Sequence, residues 1–239
     1  MKVPAPISDA ATRSMSGLWD RRAASWDHSA MPGLGKIADE VVSRAGSVTD
    51  RDVVDLGCGS GQLALRLAAT ARSVVAVDLS RAMLERLEKQ AADSGLTNVE
   101  TILAALQTLE LPAGSVDVIV SNYAFHHLRD PQKAEVLKRA AGWLRPGGVV
   151  VIGDMMFSIR AGSADREIIS SKVLSMARKG PAGWWRITKN AWRFVVARKE
   201  CPAPIATWET MFRDAGFTVT SAERIVAEGG VVSGRLPAP

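Results

Sequence analysis

Val53-Val54-Asp55-Leu56-Gly57-Cys58-Gly59-Ser60-Gly61-Gln62 is the stretch on which the reading of this 239-residue chain turns. A short apolar run closes on alternating glycines, and Leu63, Leu67 and Ala68 then recur at helical spacing. The order is strand, glycine loop, helix. Without a Cβ, such a loop lets backbone N–H groups come close to a ligand. Loops that bind dinucleotides space their glycines G-x-G-x-x-G and place an acidic residue about 20 positions further on. Here the spacing is G-x-G-x-G, and a carboxylate, Asp55, precedes the first glycine by two positions, where it would repel a pyrophosphate.

Outward from this loop the same alternation continues, which predicts a parallel sheet. Ser73 to Val77 is the next strand, followed by a helix through Met83, Leu84 and Leu87 that stops near Ser94-Gly95. Val99 to Leu103 and Val116 to Val120 read as strands. Asp130-Pro131 has the chemistry of a helix start, with Asp130 as N-cap, and Leu137, Ala141 and Leu144 form the buried stripe. Pro146-Gly147-Gly148 turns the chain into Val149 to Ile152, an unbroken β-branched run suited to a strand covered on both faces. Trp208, Met211, Phe212 and Ala215 mark a helix with Thr207 as N-cap and Gly216 beyond its end. Phe217 to Ile225 and Val231 to Gly234 are predicted to pair as a hairpin around Glu228-Gly229-Gly230.

With 47% hydrophobic residues, the chain has enough apolar content for a sizeable core, which excludes a disordered protein. No apolar run reaches the roughly 18 residues of a membrane span, and residues 1–30 hold no secretory-type apolar segment. The only cysteines, Cys58 and Cys201, fit neither a metal cluster nor a disulfide framework. The expected location is therefore the cytoplasm. The net charge of +5 is unevenly spread. No acidic residue lies between Glu167 and Glu200, where Lys172, Arg178, Lys179, Arg186, Lys189, Arg193, Arg198 and Lys199 interleave with Trp184, Trp185, Trp192 and Phe194. Residues 165–200 read as helical, broken at Gly180-Pro181-Ala182-Gly183.

The glycine stretch resembles motif I of the class I S-adenosylmethionine-dependent methyltransferases. The chain from about residue 15 to 155 resembles the group that includes the ubiquinone and menaquinone C-methyltransferases and many natural-product methyltransferases. Val77-Asp78-Leu79-Ser80 with Met83-Leu84 resembles the second motif, Val116 to Asn122 the fourth strand, and Phe125-His126-His127-Leu128 and Leu144 to Gly148 the stretches after it. The resemblance implies an α/β fold: a doubly wound, Rossmann-like seven-stranded sheet, mostly parallel, with a C-terminal antiparallel hairpin strand and a helical lid after strand five. One methyltransferase domain over 1–239 is expected, with an N-terminal helical cap (1–45), a donor-binding core (46–160), a basic tryptophan-rich lid (161–203) and a C-terminal helix and hairpin (204–239). The resemblance further implies S-adenosyl-L-methionine as donor and S-adenosyl-L-homocysteine as product. The donor would be held by Asp55, which suits its ammonium group, the loop Gly57, Cys58, Gly59 and Gly61, and by Asp78, which would bind both ribose hydroxyls, with Leu79, Asn122 and Trp26. The family's acidic residue for the adenine amino group falls at Ala105, so backbone groups of Ala105 and Leu106 are expected to take its place.

Methyl transfer from a sulfonium mainly requires that two reactants be positioned and water be excluded, and a base is needed only when the acceptor must lose a proton. His126, His127 and Tyr123 are the candidates for catalysis; each has an alternative use as loop-shaping or packing residue. Asp154 is either a base or a helix cap. Trp184, Trp185 and Trp192 are the candidates for contact with the acceptor. No metal-ligand motif is present. Ser121-Asn122-Tyr123-Ala124 stands where many amino-directed nucleic-acid methyltransferases carry an Asn-Pro-Pro-Tyr type element, which favours carbon or oxygen of a small, partly apolar metabolite. Two other readings stay open: an RNA methyltransferase docking through 172–199, and a protein that binds the donor without methylating. The oligomeric state is open, a homodimer included.

Overall fold

In the computed structural model, residues 10–23, 32–157 and 200–238 are described. Trp26, Trp184, Trp185, Trp192 and almost all of the expected lid lie outside them. The described elements, in order, are α1 (Ala10–Ala23), α2 (Pro32–Ala45), β1 (Asp52–Leu56), α3 (Ala64–Ala68), β2 (Ser73–Asp78), α4 (Arg81–Asp93), β3 (Val99–Leu103), β4 (Val116–Asn122), a 3₁₀ turn (Phe125–His127), α5 (Asp130–Trp143), β5 (Leu144–Met155), α6 (Ile205–Asp214), β6 (Thr218–Val226) and β7 (Gly229–Arg235).

The strands form one seven-stranded sheet in the order β3-β2-β1-β4-β5-β7-β6. β1 to β5 are parallel, and β7 enters antiparallel between β5 and β6. This is the doubly wound sheet expected from the strand and helix alternation. Side chains along each strand alternate between two cores. Val54, Leu56, Ile119, Val150 and Ile152 pack with α5 and with Trp208 and Phe212 of α6. Val53, Val118, Val120, Val149 and Val151 pack with Ile37 and Val41 of α2 and with α3 and α4. Cover on both faces explains why these strands are nearly all apolar. The strand order reverses between β1 and β4, so the crevice at their carboxyl ends is where an open α/β sheet binds a ligand.

The structure corrects several local readings. Asp130 is not the N-cap of α5: Arg129 is, with its N–H donating to the Gln132 side chain at 2.9 Å, while the Asp130 carboxylate pairs with Lys133 at 2.7 Å. A carboxylate in the first turn still faces the positive end of the helix dipole. α6 begins at Ile205 behind Pro204, whose carbonyl accepts from Thr207 N–H at 2.9 Å, so Thr207 lies inside the helix; Gly216 does take a left-handed φ of 94° beyond its end. The hairpin turn is Ala227-Glu228, because both following glycines join β7. Pro146-Gly147-Gly148 does not precede β5 but bulges within it: Leu144 pairs with Val116, and Val149 with Val118. Arg145, within that bulge, donates to Asp52 at 3.0 Å and lies 2.8 Å from Asp117, which ties the excursion to the amino ends of β1 and β4.

At Gly153 in β5, α2 presses directly on the sheet. A Cβ there would lie 2.5 Å from Ile37 Cγ2 and 2.7 Å from Val41 Cγ2. Gly153→Ala is expected to lower stability by about 1–3 kcal/mol, read as a lower midpoint in chemical denaturation; an unchanged midpoint would mean that α2 moves away freely.

Candidate active site

The glycine loop leaves β1 at the switch point and is fastened to β2, since Gly57 and Cys58 N–H both donate to the carbonyl of Val77, at 2.8 and 3.0 Å. Gly57, Gly59 and Gly61 all have left-handed φ, at 73°, 53° and 97°. Their surroundings separate their roles. A Cβ on Gly57 would lie 2.3 Å from Cβ of Ala124, and one on Gly61 2.3 Å from Cδ1 of Leu87, so those two are small because neighbouring elements press on them. Of the three, Gly59 alone has no described residue within 4 Å of where its Cβ would lie, apart from its chain neighbours, so it alone presents open space among the described residues.

Asp78, at the end of β2, reaches back to that glycine. Its Oδ2 accepts from Gly59 N–H at 2.8 Å and its Oδ1 from Ser80 N–H at 2.8 Å. Burial pushes the Asp78 carboxyl up, against the N–H bonds of Ser80, Gly59 and Leu79 that favour its ionised form. Ser80 caps α4 by accepting from Met83 N–H and donates its own hydroxyl to Asp20 of α1 at 2.6 Å. Asp55 is buried behind the loop and accepts from Ala64 N–H at 3.1 Å, at the start of α3. Burial raises its carboxyl to about 7, opposed by the Ala64 bond and reinforced by the charge of Asp78. The same burial, with both carboxylates nearby, pushes the Cys58 thiol well up, which makes it a poor nucleophile.

The opposite wall comes from the loop after β4. Asn122 donates to Gln62 Oε1 at 2.9 Å, and its own Oδ1 is buried with no hydrogen-bond partner among the described residues. Tyr123 is held at a left-handed φ of 54°, rare for a bulky residue, with its N–H on the carbonyl of Gly153 at 2.8 Å. That turn seats Ala124 on Gly57. His126 then meets Asp154 at the end of β5, and the His127 ring packs edge-on to Trp19, with centroids 5.5 Å apart. Burial, with Glu228 and Asp154 adding to it, pushes the Tyr123 phenol up, so it holds its proton and is unsuited to act as a base. Ala105 and Leu106 are buried beside β3. The Ala105 carbonyl accepts from Thr108 N–H at 3.0 Å and the Leu106 carbonyl from the Arg139 guanidinium at 3.1 Å, while their N–H groups make no hydrogen bond among the described residues.

Residues 53–148 match a family described as a methyltransferase domain. Over that stretch the chain is similar to methyltransferases. It is 34% identical to an uncharacterized methyltransferase of Oceanobacillus iheyensis over 51% of its own length and 55% of that relative's. It is 27% identical to one from Geobacillus sp. strain WCH70 over 89% and 93% of the two chains. A crystal structure of an S-adenosylmethionine-dependent methyltransferase from Mesorhizobium loti superposes with a TM-score of 0.61 at 22% identity, covering 82% of this chain and 96% of that one. The chain spans about half the length of the first curated relatives it matches.

The fold brings most of the expected site residues to one edge of the sheet: Asp55, Gly57, Cys58, Gly59, Gly61, Asp78, Leu79, Ala105, Leu106 and Asn122, with Tyr123, His126 and His127. Trp26 and the three lid tryptophans lie outside the described residues. Three further participants, Gln62, Asp20 and Ser80, are not among the expected site residues. Gln62 and Asp20 give no local signal, because their partners are distant in sequence. Ser80 does carry one, as a serine three residues before Met83, the ordinary N-cap pattern.

The buried carboxyl of Asp55 gives a stability signature. A group whose value is raised on folding stabilises the fold below its unfolded value, near 4, and that contribution is lost as pH rises through about 7. Asp55→Asn keeps an acceptor for Ala64 without the charge. It is expected to raise the melting temperature relative to wild type at pH 8 and to leave it nearly unchanged at pH 4; equal shifts at both would contradict a strained ion.

Proposed function

We propose that this chain transfers a methyl group from S-adenosylmethionine to carbon or oxygen of a small, partly apolar metabolite of the quinone or secondary-metabolite type. The observation that carries the reading is the Gly59–Asp78 arrangement: an open glycine face beside a carboxylate, at the switch point of the sheet. A glycine loop with the Asp78 carboxyl bonded to it and Asp55 buried behind it suits a cationic ligand that has no phosphate. In this reading Asp78 binds the ribose hydroxyls and Asp55 faces the ammonium group. Gly57, Cys58, Gly59 and Gly61 supply close backbone, with Leu79 beside the ribose, while Ala105 and Leu106 offer N–H groups to the adenine and Asn122 borders the methionine end. When bound, the sulfonium supplies an electrophilic methyl group. The chain's own residues position the two partners and keep water out.

Tyr123, His126, His127 and Trp19 give the opposite wall an aromatic character, which supports a partly apolar, planar acceptor. The basic, tryptophan-rich segment that motivates an RNA acceptor lies outside the described residues, so no specific observation favours that reading. No described helix is long and apolar enough to cross a membrane.

Asp78→Ala is expected to weaken binding of S-adenosylhomocysteine by roughly 1.5–3 kcal/mol in calorimetry while the fold survives. Gly59→Val, which fills the open face and strains a left-handed position, should abolish binding. Normal affinity in both folded variants would refute the donor site. Incubating the protein with methyl-labelled donor and a metabolite extract then identifies the acceptor by its label.

A further inference from the structure

The ends of β4 and β5 hold a cluster that donor binding does not use. Asp154 is fully buried, and its carboxyl receives three donors: His126 N–H at 2.8 Å, Met155 N–H at 2.6 Å, and Nδ1 of the His126 ring at 2.6 Å. The first and third bonds grip backbone and ring of one residue, so they fix the rotamer of His126 as well as its place. The second anchor lies beneath the loop. The carbonyl of His126 accepts from Cys201 N–H at 2.6 Å, and the carbonyl of Cys201 accepts from the ammonium of Lys133, itself fully buried and paired with Asp130. The loop is also tied to the glycine loop through Ala124, seated on Gly57. A histidine needed only to shape a turn requires none of this.

A carboxyl that accepts from Nδ1–H leaves the lone pair on Nε2. Among the described residues, Nε2 of His126 makes no hydrogen bond. The titratable groups around it are Asp154 from β5, Tyr123 and His127 from its own loop, and Cys201 from the returning chain, with Glu228 of the hairpin turn acting on Tyr123. Tyr123 keeps its proton, and Asp154 is sealed from solvent, so neither competes for the role.

The geometry points to His126 as a general base oriented by Asp154, and hence to an acceptor with a weakly acidic hydroxyl, a phenol or an enol. This rests on the methyltransferase reading above and narrows it. The acceptor's O–H bond breaks with its proton passing to Nε2 of His126; the electron pair, shared between oxygen and the conjugated carbon, forms the bond to the methyl group, while the pair of the broken S–C bond stays on sulfur. The imidazolium, stabilised by Asp154, returns the proton to solvent after product leaves. Carbon and oxygen methylation both begin with this proton loss, so one base serves either. Asp154 is a positioning residue, because it acts through the imidazole.

The test uses the full chain loaded with S-adenosylhomocysteine. In ¹⁵N-resolved NMR of the imidazoles, His126 is expected to show a strongly downfield Nδ1–H proton and an unprotonated Nε2, both absent in His126→Gln. Asp154→Asn should move the proton to Nε2. 4-Nitrocatechol, a chromophoric phenol, should show its phenolate band at lower pH with the loaded protein than free in buffer. That shift should vanish in His126→Gln and shrink at least tenfold in apparent affinity in Asp154→Asn. Calorimetry on S-adenosylhomocysteine should give the same affinity in wild type and both variants. A proton on Nε2 in the wild type, or a phenolate shift that is absent or survives His126→Gln, overturns the dyad. Wild type that fails to bind S-adenosylhomocysteine overturns the methyltransferase reading instead. Should Asp154→Asn not fold, the wild-type tautomer and the His126→Gln titration decide alone.

Discussion

The bonds from Gly59 and Ser80 to the Asp78 carboxyl are the interactions around which the site is arranged. They join the loop after β1, which borders the switch point, to the loop after β2. Through Ser80 the same carboxyl is linked to the N-terminus of α4 and to Asp20 of α1, so the helix outside the sheet is registered against the cradle. Three carboxyl groups, Asp20, Asp55 and Asp78, therefore gather on one side of the crevice with no described salt bridge to offset them. Folding brings those carboxyl groups together, and burial holds Asp55 and Asp78 above the ordinary carboxylate range.

The second wall is built on packing and on different chemistry. Gly57 is small so that Ala124 can sit on it, and Tyr123 accepts a left-handed backbone so that the chain can turn at that point. Backbone strain of this kind persists only where the surroundings fix it, and here Gly153 holds the Tyr123 amide while Asp154 holds His126. The two anchors of this wall are thus consecutive residues of β5, one bonding through its carbonyl and the other through its side chain. Gly153 also admits α2 to the sheet, so the packing of the core and the shape of the loop are set at one place.

Much of this architecture is legible in local sequence. The β-branched runs and the glycine stops mark every described strand and the C-terminal ends of α4 and α6, since those signals are local and both faces of the sheet are covered. Errors gather where a side chain has a choice of partner. Asp130 has the composition of an N-cap, but Lys133 draws its carboxylate away, and Thr207 loses the cap position because Pro204 already bends the chain. The Pro146-Gly147-Gly148 segment reads as a turn in any local window, and only Arg145 reaching Asp52 and Asp117 absorbs it into a strand as a bulge.

By itself, the sequence determined the seven strands, the place of the glycine loop between β1 and α3, and the carboxyls of Asp55 and Asp78 at the ends of β1 and β2, because strand, loop and helix there are contiguous and their signals are carried within a few residues. Tertiary structure decided which glycine faces open space, which carbonyls near Ala105 are already occupied, and which of two adjacent histidines receives a carboxyl. Asp154 lies near the end of β5 and His126 beyond the end of β4, and buried Lys133 meets both the Cys201 carbonyl and the Trp208 ring. Such contacts are fixed by how the strands are laid side by side, a property of the sheet as a whole that no neighbouring residues encode.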